Sequence, residues 1–191
     1  MSILAMLTIA VVTDLRASRM SDELKTAVRV VSSDIRTAQT QAIAGQNLKT
    51  CVDTMGNRVI AENSSATCMT SIGYSIPSAV GLAMASGTTY DTFAEIDNQF
   101  VNGIEDPSEI FVNKQLAQFG TPNVTITIAV NGAPVNNVSL AFRRQSGTML
   151  VDGALNATAP KIVTLTLTQT QSGQTKTITI DQWSGRILTS L

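Results

Sequence analysis

The sequence predicts an α+β fold in which one long N-terminal α-helix packs on a C-terminal antiparallel β-sheet or two-sheet sandwich. Apolar residues recur at helical spacing from Met20 to Ala42, and beyond Gly45 the apolar period changes to two. With 191 residues, the chain can form one ample domain, or one domain with an extension. We therefore divide it into an N-terminal helix over residues 1–45 and a globular β domain over residues 46–191.

Composition argues for an extracytoplasmic β-rich protein. Charged residues make up 14% of the chain and aromatic residues 4%, while Ser, Thr, Asn and Gln are abundant. The net charge of −1 gives no global indication of nucleic-acid binding. Residues 59–113 contain seven acidic and no basic residues, whereas residues 114–191 contain six basic and two acidic ones. Such segregation suits head-to-tail contacts between subunits, and solvated surfaces explain it equally well.

The chain begins with an apolar run that reaches Val12, and the first charged residue is Asp14. A helix over residues 3–12 covers about 15 Å, whereas spanning a bilayer takes roughly 20 residues. No basic residue precedes the run, so it does not fit a secretory signal peptide. We interpret residues 1–13 as a truncated membrane or filament-core segment; an interfacial anchor and a buried core helix are the alternatives. The predicted packing residues are Ile3, Leu4, Leu7, Ile9, Val11 and Val12.

An amphipathic helix follows over residues 20–44. Its apolar seam consists of Met20, Leu24, Val28, Val31, Ile35, Ala38 and Ala42, separated by steps of three or four. The opposite side carries Lys25, Arg29, Ser33, Arg36 and Thr40. We expect the helix to end at Gly45, which favours a left-handed C-cap. Ser21, Asp22 and Glu23 could cap an internal break near Met20.

Strand predictions follow from alternation and turn residues. Residues 48–53 and 58–62 predict a hairpin, and Pro77 and Gly81 are expected to divide residues 73–86 into a short strand and a loop. Residues 89–113 are ambiguous, with 109–113 the best strand candidate. Asn131-Gly132 predicts a type I′ turn between strands 124–130 and 137–144. Residues 162–168 should pair with 176–180, and residues 186–188 form a last strand.

Two cysteines, Cys51 and Cys68, predict one disulfide formed outside the cytoplasm. The chain has no histidine, so neither a zinc site nor a histidine-activated thiol is indicated. No catalytic motif is present, and we expect neither an enzyme nor a bound cofactor. The acidic stretch over residues 91–109 contains six carboxylates (Asp91, Glu95, Asp97, Glu105, Asp106 and Glu109) that could bind Ca²⁺. It lacks EF-hand spacing, which favours a solvated acidic loop.

Basic residues of the C-terminal part could form a phosphate-binding strip on the predicted sheet. The candidates for nucleic-acid contact are Arg144, Lys176 and Arg186. No aromatic residues are interleaved with them for base stacking, so scattered solubilising charges are the simpler interpretation.

Three segments resemble one protein family. The run from Ser2 to Val11, SILAMLTIAV, resembles the second half of the N-terminal segment of type IV pilins and type II secretion pseudopilins. The helix segment DIRTAQTQAI, residues 34–43, resembles that of the GspH/FimT-like minor pilins, and WSGRI, residues 183–187, is similar to their Gly-Arg-hydrophobic ending. The family's leader, its Phe-Thr-Leu-Ile run and its N-terminal glutamate are absent, and Gln39 stands where the subgroup usually has arginine.

The resemblance implies a pilin-like fold and a non-catalytic structural subunit of a type IV pilus or type II secretion pseudopilus. Its apolar helix half would lie in the inner membrane before assembly and in an extracytoplasmic filament afterwards. There it would pack against other pilin or pseudopilin subunits. The missing half of the signature, with its N-methylated start, would lie upstream of Met1. The alternatives are a minor pilin that binds DNA during uptake and a secreted β-sandwich adhesin.

Overall fold

The computed structural model describes residues 2–52, 54, 56, 58–61, 68, 70–96, 110–152 and 159–190. One helix, α1 (Ser2–Ala44), precedes all the strands, and a short 3₁₀ helix (Leu116–Phe119) precedes β7. The strands are β1 (Leu48–Val52), β2 (Arg58–Ile60), β3 (Thr70–Ser75), β4 (Ala79–Ala85), β5 (Thr89–Glu95), β6 (Ile110–Gln115), β7 (Val124–Val130), β8 (Ala133–Val135), β9 (Asn137–Arg143), β10 (Met149–Val151), β11 (Ile162–Gln169), β12 (Thr175–Asp181) and β13 (Ile187–Thr189).

The strands form three antiparallel sheets. Sheet 1 has the order β2-β1-β3, sheet 2 the order β10-β9-β4-β5-β6, and sheet 3 the order β13-β12-β11-β7-β8. Sheets 2 and 3 meet at an isolated bridge, where Gly87 and Ile126 exchange backbone hydrogen bonds of 2.9 and 2.7 Å. A long N-terminal helix combined with antiparallel sheets confirms the predicted α+β class.

The helix is unbroken over 43 residues, which gives a length of about 65 Å at 1.5 Å per residue. The predicted internal break near Met20 is wrong: Asp22 instead pairs with Lys25 on the helix surface at 3.2 Å. The predicted end is confirmed, because Gly45 adopts a φ of 65°. The amides of Gly45 and Gln46 both donate to the carbonyl of Gln41, which satisfies the last turn.

One core joins the helix to both large sheets. In sheet 3 the apolar residues alternate strictly, so Val163, Leu165 and Leu167 are fully buried while the threonines between them face outward. The helix contacts β4 and β9 of sheet 2 and β7, β11, β12 and β13 of sheet 3. Apolar side chains from all these elements form a single buried cluster.

The strand β4 corrects our expectation that Gly81 interrupts residues 73–86. Pro77 does lie between β3 and β4, but β4 continues through Gly81. A Cβ atom at Gly81 would lie 2.2 Å from the carbonyl oxygen of Leu140 and 2.7 Å from Cζ of Phe93. The glycine therefore allows close packing within the sheet, one of the recognised uses of glycine in strands.

The turn at Asn131-Gly132 forms as predicted, with φ values of 51° and 79°, but its second strand is β8. The expected partner, residues 137–144, corresponds to β9, which crosses to sheet 2 and pairs with β4 and β10. Five consecutive residues of β9 are buried, as in a central strand covered on both faces. The strand β5, which we left ambiguous, lies between β4 and β6 in the same sheet.

The predicted last strand is present as β13 and pairs with β12, a neighbour that we had not predicted. The two remaining predicted pairings are confirmed: β1 pairs with β2, and β11 pairs with β12. These connections are short and carry clear turn residues, which is why alternation alone predicted them.

We predict that Gly81→Ala destabilises the protein by about 1–3 kcal/mol, because the added methyl group overpacks the contact with Leu140 and Phe93. Urea denaturation followed by circular dichroism measures this change. Gly73→Ala in β3 is the matched control, since a Cβ atom there would lie 4.0 Å from its nearest neighbour. Equal free energies of unfolding for the two variants would contradict the packing role of Gly81.

Candidate functional site

The predicted helix seam lies against the β domain. Six of its seven residues are buried, namely Leu24, Val28, Val31, Ile35, Ala38 and Ala42, while Met20 is half-buried. The prediction missed Ala27 and Ser32, which are also buried. Both lie three or four residues from seam positions, so a prediction that allowed a wider buried stripe on the helix would have included them. The residues on the opposite side of the helix are all exposed, as expected: Lys25, Arg29, Ser33, Arg36 and Thr40.

The N-terminal half of the helix differs from the seam. Residues 14–19 are all exposed, and the apolar side chains of Val12 and Leu15 are 47% and 59% exposed. The backbone of residues 2–19 alone gives about 27 Å of helix. Among the described residues, no helix contains a segment both long and hydrophobic enough to cross a lipid bilayer. The side chains of Ile3, Leu4, Leu7, Ile9 and Val11 lie outside the described part.

The predicted disulfide is present between Cys51 and Cys68, whose Cα atoms are 5.5 Å apart. It links β1 to a residue just before β3, across a sequence separation of 17. Closing a loop of this size stabilises a protein by about 3 kcal/mol in chain-entropy models. The disulfide therefore holds β1 close to the start of β3 within sheet 1, the sheet that follows the helix in the sequence.

A polar cluster that the sequence analysis missed fixes the helix to sheet 2. The Tyr90 hydroxyl donates a 2.5 Å hydrogen bond to Oδ2 of Asp34, and Nζ of Lys114 lies 2.8 Å from the same oxygen. Tyr90 and Lys114 are opposite one another on β5 and β6. Burial, followed by the hydrogen bond to Asp34 and its negative charge, raises the pKa of Tyr90 above its usual range.

A cleft of about 180 Å³ adjoins this cluster between the helix and sheet 2. Its walls include Thr37, Ala38 and Gln41 from the helix and Val80, Phe93 and Phe111 from the sheet. Asp34 and Lys114 lie at its border and already neutralise one another. Asp34, Tyr90 and Lys114 therefore hold the helix against sheet 2, and the carboxylate of Asp34 is paired with the ammonium group of Lys114.

The candidate nucleic-acid contacts occupy separate places. Arg144 is exposed in the turn after β9, where its amide donates to the carbonyl of Ser78, the residue just before β4 of sheet 2. Lys176 is half-buried at the start of β12 in sheet 3, and exposed Arg186 follows the far end of that strand. Lys176 is five residues from Asp181, the last residue of β12, and this length of strand corresponds to about 16 Å. The structure therefore places Arg144 beside sheet 2 and Lys176 and Arg186 in or beside sheet 3, so these three cations do not line up on a single sheet.

The acidic stretch is described only in part. Oδ1 of Asp91 accepts a 2.6 Å hydrogen bond from Asn113, and Glu95 is buried, with 6% exposure. Asp97, Glu105, Asp106 and Glu109 lie outside the described residues. In the part of the chain that is described, no group of three or more carboxylate or cysteine side chains could hold a metal ion.

Two segments named in the family resemblance meet in space. A Cβ atom at Gly185 would lie 3.0 Å from Nε2 of Gln39, so the turn between β12 and β13 rests on the helix. The Asp181 carboxylate accepts hydrogen bonds from the amides of Trp183 and Ser184, which fixes the turn. Trp183 itself is 73% exposed.

Comparisons of this chain with protein-family models, curated proteins and solved structures find no match.

We predict that Ile35→Asp unfolds or strongly destabilises the β domain, by more than about 3 kcal/mol, because it buries an unpaired charge in a position with 0% exposure. Limited proteolysis and circular dichroism measure the effect. Ser33→Asp adds the same carboxylate to the exposed side of the helix and should leave the domain protease-resistant. Resistance in both variants would show that the seam does not hold the domain.

We predict that Tyr90→Phe destabilises the protein by about 1–2 kcal/mol at neutral pH, through loss of the hydrogen bond to Asp34. In the parent, unfolded Tyr90 loses its proton near pH 10 while the folded residue keeps it. Stability should therefore fall as the pH rises above about 10.

Urea denaturation from about pH 8 to about pH 11 tests this dependence. The fall should be smaller in Tyr90→Phe than in the parent. Tyr74→Phe, at a 67% exposed tyrosine, should behave like the parent. An identical pH dependence in parent and Tyr90→Phe would contradict the assignment.

Proposed function

We propose that the chain is a non-catalytic structural subunit of a type IV pilus or a type II secretion pseudopilus, a minor pilin or pseudopilin of the GspH/FimT-like kind. The observation that carries the proposal is the division of one continuous helix into two halves. Residues 20–44 supply one side of the domain core, whereas residues 14–19 are exposed and continue into the apolar N-terminal run. A continuous helix whose N-terminal sequence is apolar and whose residues 14–19 are exposed suits insertion among other copies.

In this proposal the apolar residues from Ile3 to Val12 contact lipid in the inner membrane before assembly. In the extracytoplasmic filament, the same residues pack against helices of neighbouring subunits. The exposed residues 14–19 form a spacer between that packing and the β domain.

We predict that Leu15→Asp removes the protein from filaments without unfolding its β domain. Leu15 is 59% exposed, so a carboxylate there disturbs contacts with other subunits and leaves the core intact. Recovery of the variant in sheared surface filaments, relative to the parent, measures assembly. Ile43→Asp, at a 53% exposed position on the same helix, is the control and should assemble normally.

Equal recovery of parent and both variants, or absence of the parent from filaments and membranes, would contradict the proposal. Mass spectrometry of the N-terminal peptide from the same fractions gives an independent test. An N-methylated terminus supports a pilin or pseudopilin. A chain that begins after Val12 and occurs only in the medium would favour a secreted adhesin.

A further inference from the structure

The face of sheet 2 that is turned away from the main core contains a small trough. Leu82 and Met84 of β4 belong to the main core cluster, so the alternating residues Ala83 and Ala85 face the other side of the sheet and form a floor of small side chains. Strands β5 and β9 flank this floor with longer polar residues. The trough has a volume of about 180 Å³, and its polar lining residues are Thr89, Asp91, Asn137, Ser139 and Asp152.

Strand register places a carboxylate on each side of the floor. Asp91 on β5 and Ser139 on β9 are both opposite Ala83. Asp152 directly follows β10; its amide donates to the carbonyl of Ser139 at 2.9 Å, and its Oδ1 accepts from the amide of Ser139 at 3.0 Å. The order across the sheet is therefore Asp91, Ala83, Ser139, Asp152. At about 4.8 Å per strand, the Cα atoms of the two aspartates are roughly 14 Å apart.

Each of the two carboxylates keeps one oxygen available to a ligand. Oδ1 of Asp91 accepts from Asn113 at 2.6 Å, and Oδ1 of Asp152 is bound as described above. Within the described residues, Oδ2 of each aspartate makes neither a hydrogen bond nor an ion pair. The ammonium group of Lys161 donates instead to the carbonyl of Val151, at 3.5 Å. The trough thus carries two negative charges that the described cations do not neutralise.

The side chain of Ser139 gives a second, independent indication of a ligand. Ser139 is 7% exposed, and it alternates with the core residues Val138 and Leu140, so its side chain is directed to the trough. Its hydroxyl makes no hydrogen bond in the part of the chain that the structure describes. Buried hydroxyl groups normally have a partner. The next row of the same face is apolar and buried, with Phe93 and Leu150, and such surroundings strengthen charge interactions.

We propose that the trough binds a short aliphatic diamine, with one ammonium group at each aspartate. The methylene chain lies over Ala83, and the ammonium group at Asp152 also donates to the hydroxyl of Ser139. Two carboxylates this far apart cannot share one metal ion, whose oxygen ligands converge within about 2.6 Å. By contrast, 1,4-diaminobutane spans roughly 12 Å when one hydrogen bond of 2.8 Å is added at each end. The site lies on the β domain and does not depend on the proposed filament role.

Isothermal titration calorimetry of the full chain with 1,4-diaminobutane tests the proposal, in a nonionic detergent at low ionic strength. We expect saturable binding of one molecule per chain, which weakens as salt is added. Butylamine has the same chain and only one charge, and should bind about tenfold more weakly or less tightly still. The shorter 1,2-diaminoethane has two charges but cannot reach both carboxylates, and should also bind more weakly.

Three variants locate the site. Asp91→Asn and Asp152→Asn keep an Oδ1 acceptor for the existing hydrogen bonds and remove the charge, so each should weaken binding about tenfold. Asparagine also tolerates the φ of 51° at Asp152. Ser139→Ala should weaken binding about two- to tenfold. It should leave the thermal unfolding temperature without ligand unchanged, because the hydroxyl has no partner among the described residues.

Asp14→Asn is the matched control, because it removes the same charge at an exposed position of the helix. It should bind the diamine as the parent does. The proposal is overturned if the parent does not bind 1,4-diaminobutane, or if both asparagine variants at the trough bind it as well as the parent. Equal affinities for butylamine and 1,4-diaminobutane would also overturn it, and so would tighter binding of Ca²⁺ than of the diamine.

Discussion

The buried face of the long helix is the constraint on which the rest of the structure depends. Sheets 2 and 3 share one isolated β-bridge in the described part, between Gly87 and Ile126, and each must bury an apolar face. Helix residues such as Val31 and Ile35, both with 0% exposure, fill the space against both sheets. Each fully buried side chain of this kind contributes about 1.5–3 kcal/mol. Without the helix, neither sheet would have a complete core.

Polar contacts set how the helix lies on this core. On one side, Asp34 binds Tyr90 and Lys114 of sheet 2. On the other, fully buried Gln169 at the end of β11 donates to Glu23 at 3.3 Å. Apolar packing is not directional, whereas hydrogen bonds have defined geometry. The two contacts, eleven helix residues apart, therefore fix the rotation of the helix relative to both sheets.

The same helix connects the fold to the proposed function. Its second half cannot leave the domain without exposing the core. The exposed side chains of Val12 and Leu15 have no role in the domain core. Under the proposed function, the buried second half of the helix would hold the β domain, and the exposed first half would be inserted among the helices of other subunits.

Local features were determined by the sequence alone. The helix seam, the cap at Gly45 and the turn at Asn131-Gly132 follow from periodicity and backbone preference, which act over a few residues. Tertiary structure decided which sheet each strand joins, because alternation specifies a strand's faces and not its neighbours. Tertiary structure also decided that Gly81 lies inside a strand, because a glycine is required there only by the close approach of Phe93 and Leu140. It also assembled the Asp34 cluster, in which Asp34 and Tyr90 are separated by 56 residues and meet only after the sheets have packed on the helix.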